Sequence, residues 1–168
     1  MQVQSRTVRS SALARAGGNG SSLSAVDKAI VEQLQEDGRR PFTEVAAAVG
    51  LSEGAVRQRV RKLIDSGVMQ IVAVADPLRV GFSLMALVGV RVDGDLLKVA
   101  DALAGVPEVI YVVVTAGSFD LLVELVCHDH DHLLELLNET IRAIPGITRT
   151  ETFTYLRVVK ETYGYGTR

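Results

Sequence analysis

Cysteine, tryptophan and long apolar runs are scarce or absent in this chain of 168 residues. The single cysteine, Cys127, excludes an internal disulfide framework and is typical of a protein of the reducing cytoplasm. No run reaches the roughly 18 apolar residues of a membrane helix, and residues 1–22 lack the apolar core of a signal peptide. We therefore expect a cytoplasmic protein without a membrane partner.

Signatures of catalysis are missing as well. The sequence has no Gly-x-Ser-x-Gly motif, no phosphate-cradling loop and no carboxylate pair whose separation the pattern defines. One cluster is a candidate metal site, CHDHDH from Cys127 to His132. On an extended chain its histidines, His128, His130 and His132, would lie on one face. Zinc ligands generally come from separate segments, so we interpret the run as a loop in which Asp131 caps the next helix. We expect no enzyme activity, no cofactor and no metal.

The net charge of −2 is small but unevenly distributed. Residues 1–75 hold 10 Lys/Arg against 7 Asp/Glu, whereas residues 76–168 hold 8 against 13. Residues 1–75 are therefore basic and residues 76–168 acidic, so only the first of these segments has the charge that binding to nucleic acid favours. Because phosphate neutralisation dominates nucleic-acid affinity, the modest +3 predicts that more than one copy is needed for tight binding.

The most informative stretch is PFTEVAAAVGLSEGAVRQRVRKLIDSG, Pro41 to Gly67. It predicts two helices joined by a tight turn, with Thr43 capping the first helix, Gly50 in the turn, and Ser52 capping the second helix. In the second helix, a buried stripe is predicted at helical spacing. Its members are Val56, Val60, Leu63 and Ile64.

The other face of this second helix is polar and basic, as readout of a DNA major groove requires. An ordinary solvated helix face is the alternative. Gly54, Arg57, Gln58 and Arg61 are the candidates for facing bases. The full set of candidate DNA-binding residues is Ser52, Glu53, Gly54, Arg57, Gln58, Arg61 and Lys62, with Arg59, Arg39 and Arg40 as further backbone contacts.

A helix from Ser24 would complete a three-helix domain, since Val26, Ile30 and Leu34 repeat at helical spacing after a Ser-x-x-Asp cap. The β-branched run after Gly67 predicts a strand-like connector. The predicted organisation is a disordered tail (1–22), a helix-turn-helix domain (23–67), a strand-like linker (68–81), a second domain (82–160) and a second tail (161–168).

Residues 82–159 alternate strands and helices in the order β-α-β-β-α-β, which predicts a ferredoxin-like four-stranded antiparallel sheet with two helices on one face. The fold class is therefore α+β. The strands are Phe82 to Val92, Val109 to Val114, Leu121 to Cys127 and Ile147 to Val159. These strands are apolar on both faces, and an uncovered apolar face costs solubility. We expect a second copy to cover it and form a two-fold dimer.

Two motifs at this separation resemble the Lrp/AsnC, or feast/famine, regulators over roughly residues 23–160. The first is LSAVDKAIVEQLQEDGRRPFTEVAAAVGLSEGAVRQRVRKLIDSGVMQ, which resembles the family's helix-turn-helix. The second is TAGSFDLLVELV, which is similar to its Gly-x-x-Asp turn and following strand. Ser24 departs from the family, where many members carry Asp, but serine keeps the cap.

The resemblance implies a sequence-specific transcriptional regulator that binds double-stranded DNA. It also implies that residues 82–160 are an effector-binding and oligomerisation domain. Its dimers would often assemble into octamers and bind a small effector, usually an amino acid, between dimers near the turn. The effector residues carried over are Thr115, Ala116, Gly117, Ser118, Phe119 and Asp120. Gly117 could take a positive φ and Asp120 could accept from an ammonium group, although such pairs also simply form tight turns.

Two alternatives share the same two-domain arrangement. Some proteins that resemble this family are tetrapyrrole (siroheme-type) decarboxylases, for which His128, His130 or Arg91 would be conceivable acid or anion-binding groups. The other alternative is an architectural, chromatin-like protein that wraps DNA with little sequence preference.

Overall fold

The computed structural model describes residues 23–162, 164, 166 and 167. The predicted tail at residues 1–22 lies outside the described residues. The chain divides into two compact units. We call the unit that contains residues 23–73 and the described residues from Lys160 onward the head, and residues 74–159 the body. Among the described residues, none of the helices has the length and apolar content that a membrane crossing needs.

The head contains three helices, α1 (Ala25–Glu36), α2 (Phe42–Val49) and α3 (Glu53–Asp65). Serine side chains cap two of them as predicted: Ser24 accepts from the Asp27 amide, and Ser52 accepts from the Ala55 amide. Gly50 ends α2 in the left-handed conformation, at a φ of 69°, which glycine adopts without steric cost. The helices bury one apolar cluster made of Ile30, Val31, Leu34, Val45, Ala46, Val56, Val60 and Leu63.

Two details of the head differ from the sequence predictions. Thr43 does not cap α2, because that helix begins at Phe42 and Pro41 occupies the cap position without a side-chain hydrogen bond. Proline has no polar side chain, so Pro41, at a φ of −58°, starts the helix without a side-chain cap. Ile64, predicted on the buried stripe, is 40% exposed.

The prediction of a strand-like linker at residues 68–81 is wrong, because this segment forms no strand. Residues 69–76 pair with no strand in the described part of the chain, and Pro77–Arg79 form a single 3-10 turn capped by Asp76. The β-branched residues of this segment, Val72 and Val74 among them, are exposed. Because a strand requires a hydrogen-bonding neighbour, β propensity alone does not create one.

The body has the predicted β-α-β-β-α-β order and a four-stranded antiparallel sheet. Its elements are β1 (Leu84–Val92), α4 (Leu96–Ala104), β2 (Val109–Val114), β3 (Leu121–Cys127), α5 (His130–Glu135) and β4 (Ile147–Thr154). The strand order is β2-β3-β1-β4, with β1 central and paired to both β3 and β4. The predicted ferredoxin-like, α+β architecture is confirmed.

The end of α5 carries a feature that the sequence did not indicate. The helix begins at His130 with Asp129, not Asp131, as its cap, and continues as a π-helical segment from Leu136 to Ile141. The π-helix is rare, and in proteins it occurs frequently at functional sites. The first and last strands of the chain are also shorter than predicted: β1 begins at Leu84 instead of Phe82, and β4 ends at Thr154 instead of Val159.

Both helices of the body cover the same face of the sheet. Alternate residues of β1 (Leu84, Ala86, Val88 and Val90) and of β3 pack against α4, α5 and the π-helical segment in one buried cluster. The opposite face, which we call the outer face, carries the intervening residues. They include Met85, Leu87, Gly89, Tyr111, Val113, Leu122, Glu124 and Phe153.

Candidate nucleic-acid interface and effector turn

One side of α3 is exposed and cationic. Its first residues, Ser52, Glu53 and Gly54, are exposed, and so are Arg57, Gln58, Arg61 and Lys62. The spacing of three and four residues places Gly54, Arg57, Gln58 and Arg61 on one side of the helix. The structure therefore brings together the candidate DNA-binding residues of α3, apart from Arg59.

Arg57 already has two partners within the head. Its Nη2 atom lies 2.6 Å from the Glu53 carboxylate, one turn earlier in α3. Its guanidinium also lies 5.4 Å from the centre of the Phe42 ring, within the range of a cation–π contact. Arg57 and Arg61 share the rim of an open cavity of about 270 Å³, whose apolar lining includes Val60, Ile64 and Ile71.

Gln58, Arg61 and Lys62 differ from Arg57. Within the described residues, their side chains make no hydrogen bond or ion pair with the rest of the head. Their donors are therefore free to bind bases or phosphates without breaking an internal contact. The side chain of Arg39 is in the same situation, since only its backbone amide is bonded, to Asp37.

Arg59 and Arg40 serve the head itself. Arg59 forms an ion pair of 2.8 Å with Asp27 of α1. Arg40 donates to the side chains of Gln33 and Glu36, the latter at 3.1 Å. Both arginines are thus already held, which the sequence could not show for Arg59 because its partner lies 32 residues away.

Asp27 connects the first and third helices. Its carboxylate accepts from the Ser24 hydroxyl at 2.6 Å and from Arg59 at 2.8 Å. The Ser24 hydrogen bond, followed by the hydrogen bond and charge of Arg59, lowers the pKa of Asp27 below its ordinary value of 3.8 despite an opposing effect of burial. Asp27 thus holds a negative charge that secures the orientation of α3.

In the body, the segment Thr115 to Asp120 forms a closed turn between β2 and β3. The Thr115 amide donates to the Asp120 carbonyl at 2.9 Å, and the Thr115 hydroxyl donates to the Phe119 carbonyl at 2.6 Å. Ala116, Gly117 and Ser118 project at the exposed tip. The prediction of a positive φ at Gly117 is wrong, since this residue is not among the glycines with positive φ.

Asp120 lies at the base of this turn, against the central strand. Its carboxylate accepts from the Val92 amide at 2.9 Å and lies 3.4 Å from the Arg91 guanidinium. The Asp120 amide in turn donates to the Val90 carbonyl at 2.9 Å. The side chain of Asp120 remains 31% exposed and that of Arg91 45% exposed, so the turn presents one anion and one cation side by side.

Phe119 lies flat against a gap in the outer face. A methyl group placed on Gly89 would come within 2.6 Å of the Phe119 ring, so only glycine admits the ring there. The ring also contacts Phe153 edge to face, with centroids 6.4 Å apart. Gly89 is not among the predicted site residues, although a glycine within a β-branched run signals close approach of another group.

The histidine-rich loop forms a ring stack. His128 lies parallel to Phe82 and to His132, with 5.2 Å between centroids in both pairs. The Asp129 carboxylate accepts from the His132 amide, which is a helix cap. No three potential metal ligands converge among the residues that the structure describes.

Burial, together with the charges of Glu108 and Asp129, raises the pKa of the Cys127 thiol to about 11.

Comparisons with known proteins agree with both units. Residues 23–64 match the model of the AsnC-type helix-turn-helix domain, and residues 85–165 match that of the Lrp/AsnC ligand binding domain. The HTH-type transcriptional regulator FL11 of Pyrococcus horikoshii is 37% identical over 142 residues, which cover 83% of this chain and 93% of that protein. The chain belongs to the Lrp/AsnC family.

Solved Lrp/AsnC structures show the same fold. AsnC of Escherichia coli superposes with a TM-score of 0.74 at 23% identity, over 84% of this chain and 97% of that one. A Neisseria meningitidis transcriptional regulator, solved as its L-Met complex, superposes with a TM-score of 0.75 at 25% identity, over 85% and 96% of the two chains. The protein is thus a transcriptional regulator with a DNA-binding helix-turn-helix. Its relatives bear the names of regulators, so the decarboxylase alternative has no support among them.

Proposed function

We propose that this Lrp/AsnC regulator recognises specific DNA sequences through α3. The observation that carries the proposal is the group formed by Gln58, Arg61 and Lys62, which are exposed and unengaged within the described head. Arginine and glutamine can each form paired hydrogen bonds with a base edge in the major groove. A helix that presents several such donors on one face is the arrangement that helix-turn-helix proteins use.

The roles within this set differ. We assign base contacts to Gly54, Arg57, Gln58 and Arg61, and phosphate contacts to Lys62 and Arg39. Ser52 and Glu53 act at the start of the helix, where Ser52 caps it and Glu53 holds Arg57. We leave Arg40 and Arg59 out of the contact set, because the α1 carboxylates and Gln33 already hold them.

Replacement of Arg61 tests the base contact. The variant Arg61→Ala should lose about 1–3 kcal/mol for its preferred site and accept more sequences there, because a bidentate contact to a base edge is removed. Selection from a randomised duplex library, followed by titration of the enriched site, measures both effects. Arg79→Ala is the matched control, since it removes an exposed body cation whose ion-pair partner among the described residues is Asp76.

The same selection on Arg57→Ala should also relax the site preference. An enriched sequence identical to that of the parent protein in both variants would refute the assignment of these arginines to bases. A parent protein that enriches no sequence, yet protects long stretches of DNA, would favour the architectural alternative.

We also propose that the protein acts in the cytoplasm. A small effector, an amino acid, would bind there at the turn formed by Thr115 to Asp120. An amino acid carries an ammonium and a carboxylate, and Asp120 and Arg91 present the complementary charges 3.4 Å apart. The match to the Lrp/AsnC ligand binding domain includes this turn, and the Neisseria relative was solved with L-Met. By this proposal the effector shifts assembly among dimers and octamers, and hence DNA binding.

The variant Asp120→Asn tests the effector site with little structural change. An asparagine oxygen can still accept from the Val92 amide, whereas the charge that an ammonium requires is lost. We expect the amino acid that raises the unfolding temperature of the parent protein to bind the variant at least tenfold more weakly by calorimetry. Asp101→Asn, on the exposed side of α4, is the control. Equal affinity of Asp120→Asn and the parent protein would leave the turn with a structural role only.

A further inference from the structure

Strand β2 forms one edge of the sheet, and that edge carries no protection. The strand pairs with β3 on one side, and its other side has no strand neighbour among the described residues. Its sequence, VIYVVV, contains no charged residue and no proline. Ile110, Tyr111 and Val114 are 50%, 53% and 47% exposed. An uncharged, β-branched edge of this kind readily accepts a further strand.

The opposite edge of the same sheet is protected. Strand β4, ITRTETFT, carries Arg149 and Glu151, which are exposed and form an ion pair of 3.3 Å. The register of β4 with β1 also shifts between Arg91 and Val92. Charged side chains and register shifts at an edge disfavour pairing with another chain. The unprotected edge is thus a feature of β2 and not of the sheet as a whole.

The backbone groups of β2 alternate between the two sides of the strand. The Thr115 amide, directly after β2, donates to the Asp120 carbonyl at 2.9 Å, so it faces β3. Because residues of an antiparallel strand alternate in the direction of their N–H and C=O groups, Val113 faces β3 as well. Val112 and Val114 therefore direct their N–H and C=O groups to the free edge.

A second copy of β2 is complementary to this edge. In an antiparallel arrangement with Val113 on the two-fold axis, Val112 of each copy lies opposite Val114 of the other. This pairing satisfies both the N–H and the C=O of each of these valines. No charge comes to lie opposite a like charge, since the strand has none. The register shift between Val109 and Tyr111 lies at the start of β2, outside these pairs.

We propose that the β2 edges of two copies pair in an antiparallel arrangement and join their sheets into one. This contact gives a surface to the assembly of dimers, for which the proposed function names none. It rests on that proposal only for its link to the effector. The effector turn begins at Thr115, directly after Val114, so an effector bound there adjoins the contact. The pairing uses the strand edge and leaves the outer face available to the second copy expected there.

The variant Val114→Pro tests the pairing at the backbone. Proline removes an amide that faces the free edge, so the hydrogen bonds between β2 and β3 are retained. We expect sedimentation equilibrium to give a largest assembly of half the parent mass or less. Thr154→Pro, at the last position of β4, is the matched control and should keep the parent mass. Its amide also faces a free edge, because the next amide, that of Tyr155, donates to Met85 of β1.

A disulfide on the two-fold axis tests the geometry of the pairing. Val113 makes no hydrogen bond across the proposed pair, and Cα atoms in such positions lie about 4.5 Å apart, within the range of a disulfide. Val113→Cys should therefore cross-link two copies on mild oxidation, and the addition of Val114→Pro should abolish the cross-link. Cys127 does not interfere, because its thiol is buried and its pKa is raised to about 11.

Three results overturn the inference. One is a parent protein that stays monomeric, and another is a Val114→Pro variant that keeps the parent mass with its fold intact by circular dichroism. The third is a Val113→Cys variant without a cross-link. A reduced mass of Val114→Pro would then assign the edge to a different strand, such as the exposed residues 70–76 of another copy. All masses are measured without amino acids, so a failure of the effector proposal leaves these results unchanged.

Discussion

Gly89 and Phe119 show how a single missing side chain shapes the effector turn. The Phe119 ring occupies the space that a Cβ on Gly89 would require, at 2.6 Å. Because Phe119 directly precedes Asp120 in the chain, its contact with Gly89 also fixes the position of the Asp120 backbone, from which the carboxylate extends. The turn is therefore positioned from the central strand as well as by its own hydrogen bonds.

The variant Gly89→Ala should displace Phe119 and destabilise the body by about 1–3 kcal/mol, as overpacking of a filled site does. Chemical denaturation followed by fluorescence or circular dichroism measures this change. Gly54→Ala is the matched control, since nothing lies within 4 Å of its added methyl group and alanine favours a helix. We expect Gly54→Ala to be neutral or stabilising. Equal stability of Gly89→Ala and the parent protein would contradict the tight contact.

Single residues were predicted from the sequence where the signal is local. Ser24, Gly50 and Ser52 act at helix ends as expected, because a cap involves only the next few residues. Arg59 and Gly89 could not be interpreted in this way. Their partners, Asp27 and Phe119, are about 30 residues distant in sequence, and only the fold brings them together.

At the scale of elements, α3 depends on α1 for its orientation through the ion pair between Arg59 and Asp27. The lowered pKa of Asp27 means that folding favours its charged form. This contribution to stability is fully present above the unfolded pKa, near the ordinary value of 3.8, and is lost as the pH falls through the lower folded pKa. The ion pair between Arg59 and Asp27 therefore weakens only at acidic pH.

We expect Asp27→Ala to lower the stability of the head by about 1 kcal/mol at neutral pH, since it removes a helix-end contact and an ion pair. The difference from the parent protein should shrink below about pH 4 as the parent carboxylate becomes protonated. Thermal unfolding between acid and neutral pH measures this trend. Asp65→Ala, in the last turn of α3, is a control. A difference that stays constant into acid would show that the charge of Asp27 plays no part.

The order and type of the elements could be predicted from the sequence because apolar periodicity changes between helix and strand values along the chain. The linker and the π-helical segment could not. A β-branched run predicts a strand only where a neighbour is available, and residues 69–76 have none in the described structure. A π-helix widens by one residue without a distinct periodic signal, so the sequence indicates an ordinary helix between β3 and β4 and not the π-helical segment Leu136–Ile141.

At the scale of the whole molecule, the outer face of the sheet is the surface at which we expect assembly. Leu87, Leu122 and Phe153 lie there, opposite the side that the two helices cover, and Phe153 is 44% exposed. Burial of each large apolar side chain stabilises by roughly 1.5–3 kcal/mol. We propose that a second copy covers this face, and that dimers formed in this way bring two α3 helices to one DNA site.

The variant Leu87→Lys should shift the proposed dimer to monomer. Leu87 lies opposite Glu124 in the β1–β3 register, so the new ammonium gains a partner within its own chain and the body keeps its fold. Light scattering or sedimentation equilibrium across a dilution series measures the mass. Leu97→Lys, on α4 and 67% exposed, is the control and should retain the mass of the parent protein. An unchanged mass for Leu87→Lys would place the interface elsewhere.

If Arg57 contacts a base as we propose, its contacts with Glu53 and Phe42 affect how the regulator discriminates among DNA sequences. A guanine can bind the Arg57 guanidinium only if their hydrogen bonds are more favourable than the contacts with the Glu53 carboxylate and the Phe42 ring that are lost. By this proposal the side chain keeps its internal contacts opposite any other base and adds nothing to affinity there. Arg57 then favours the correct base, but by a smaller free energy than an arginine without internal partners would provide.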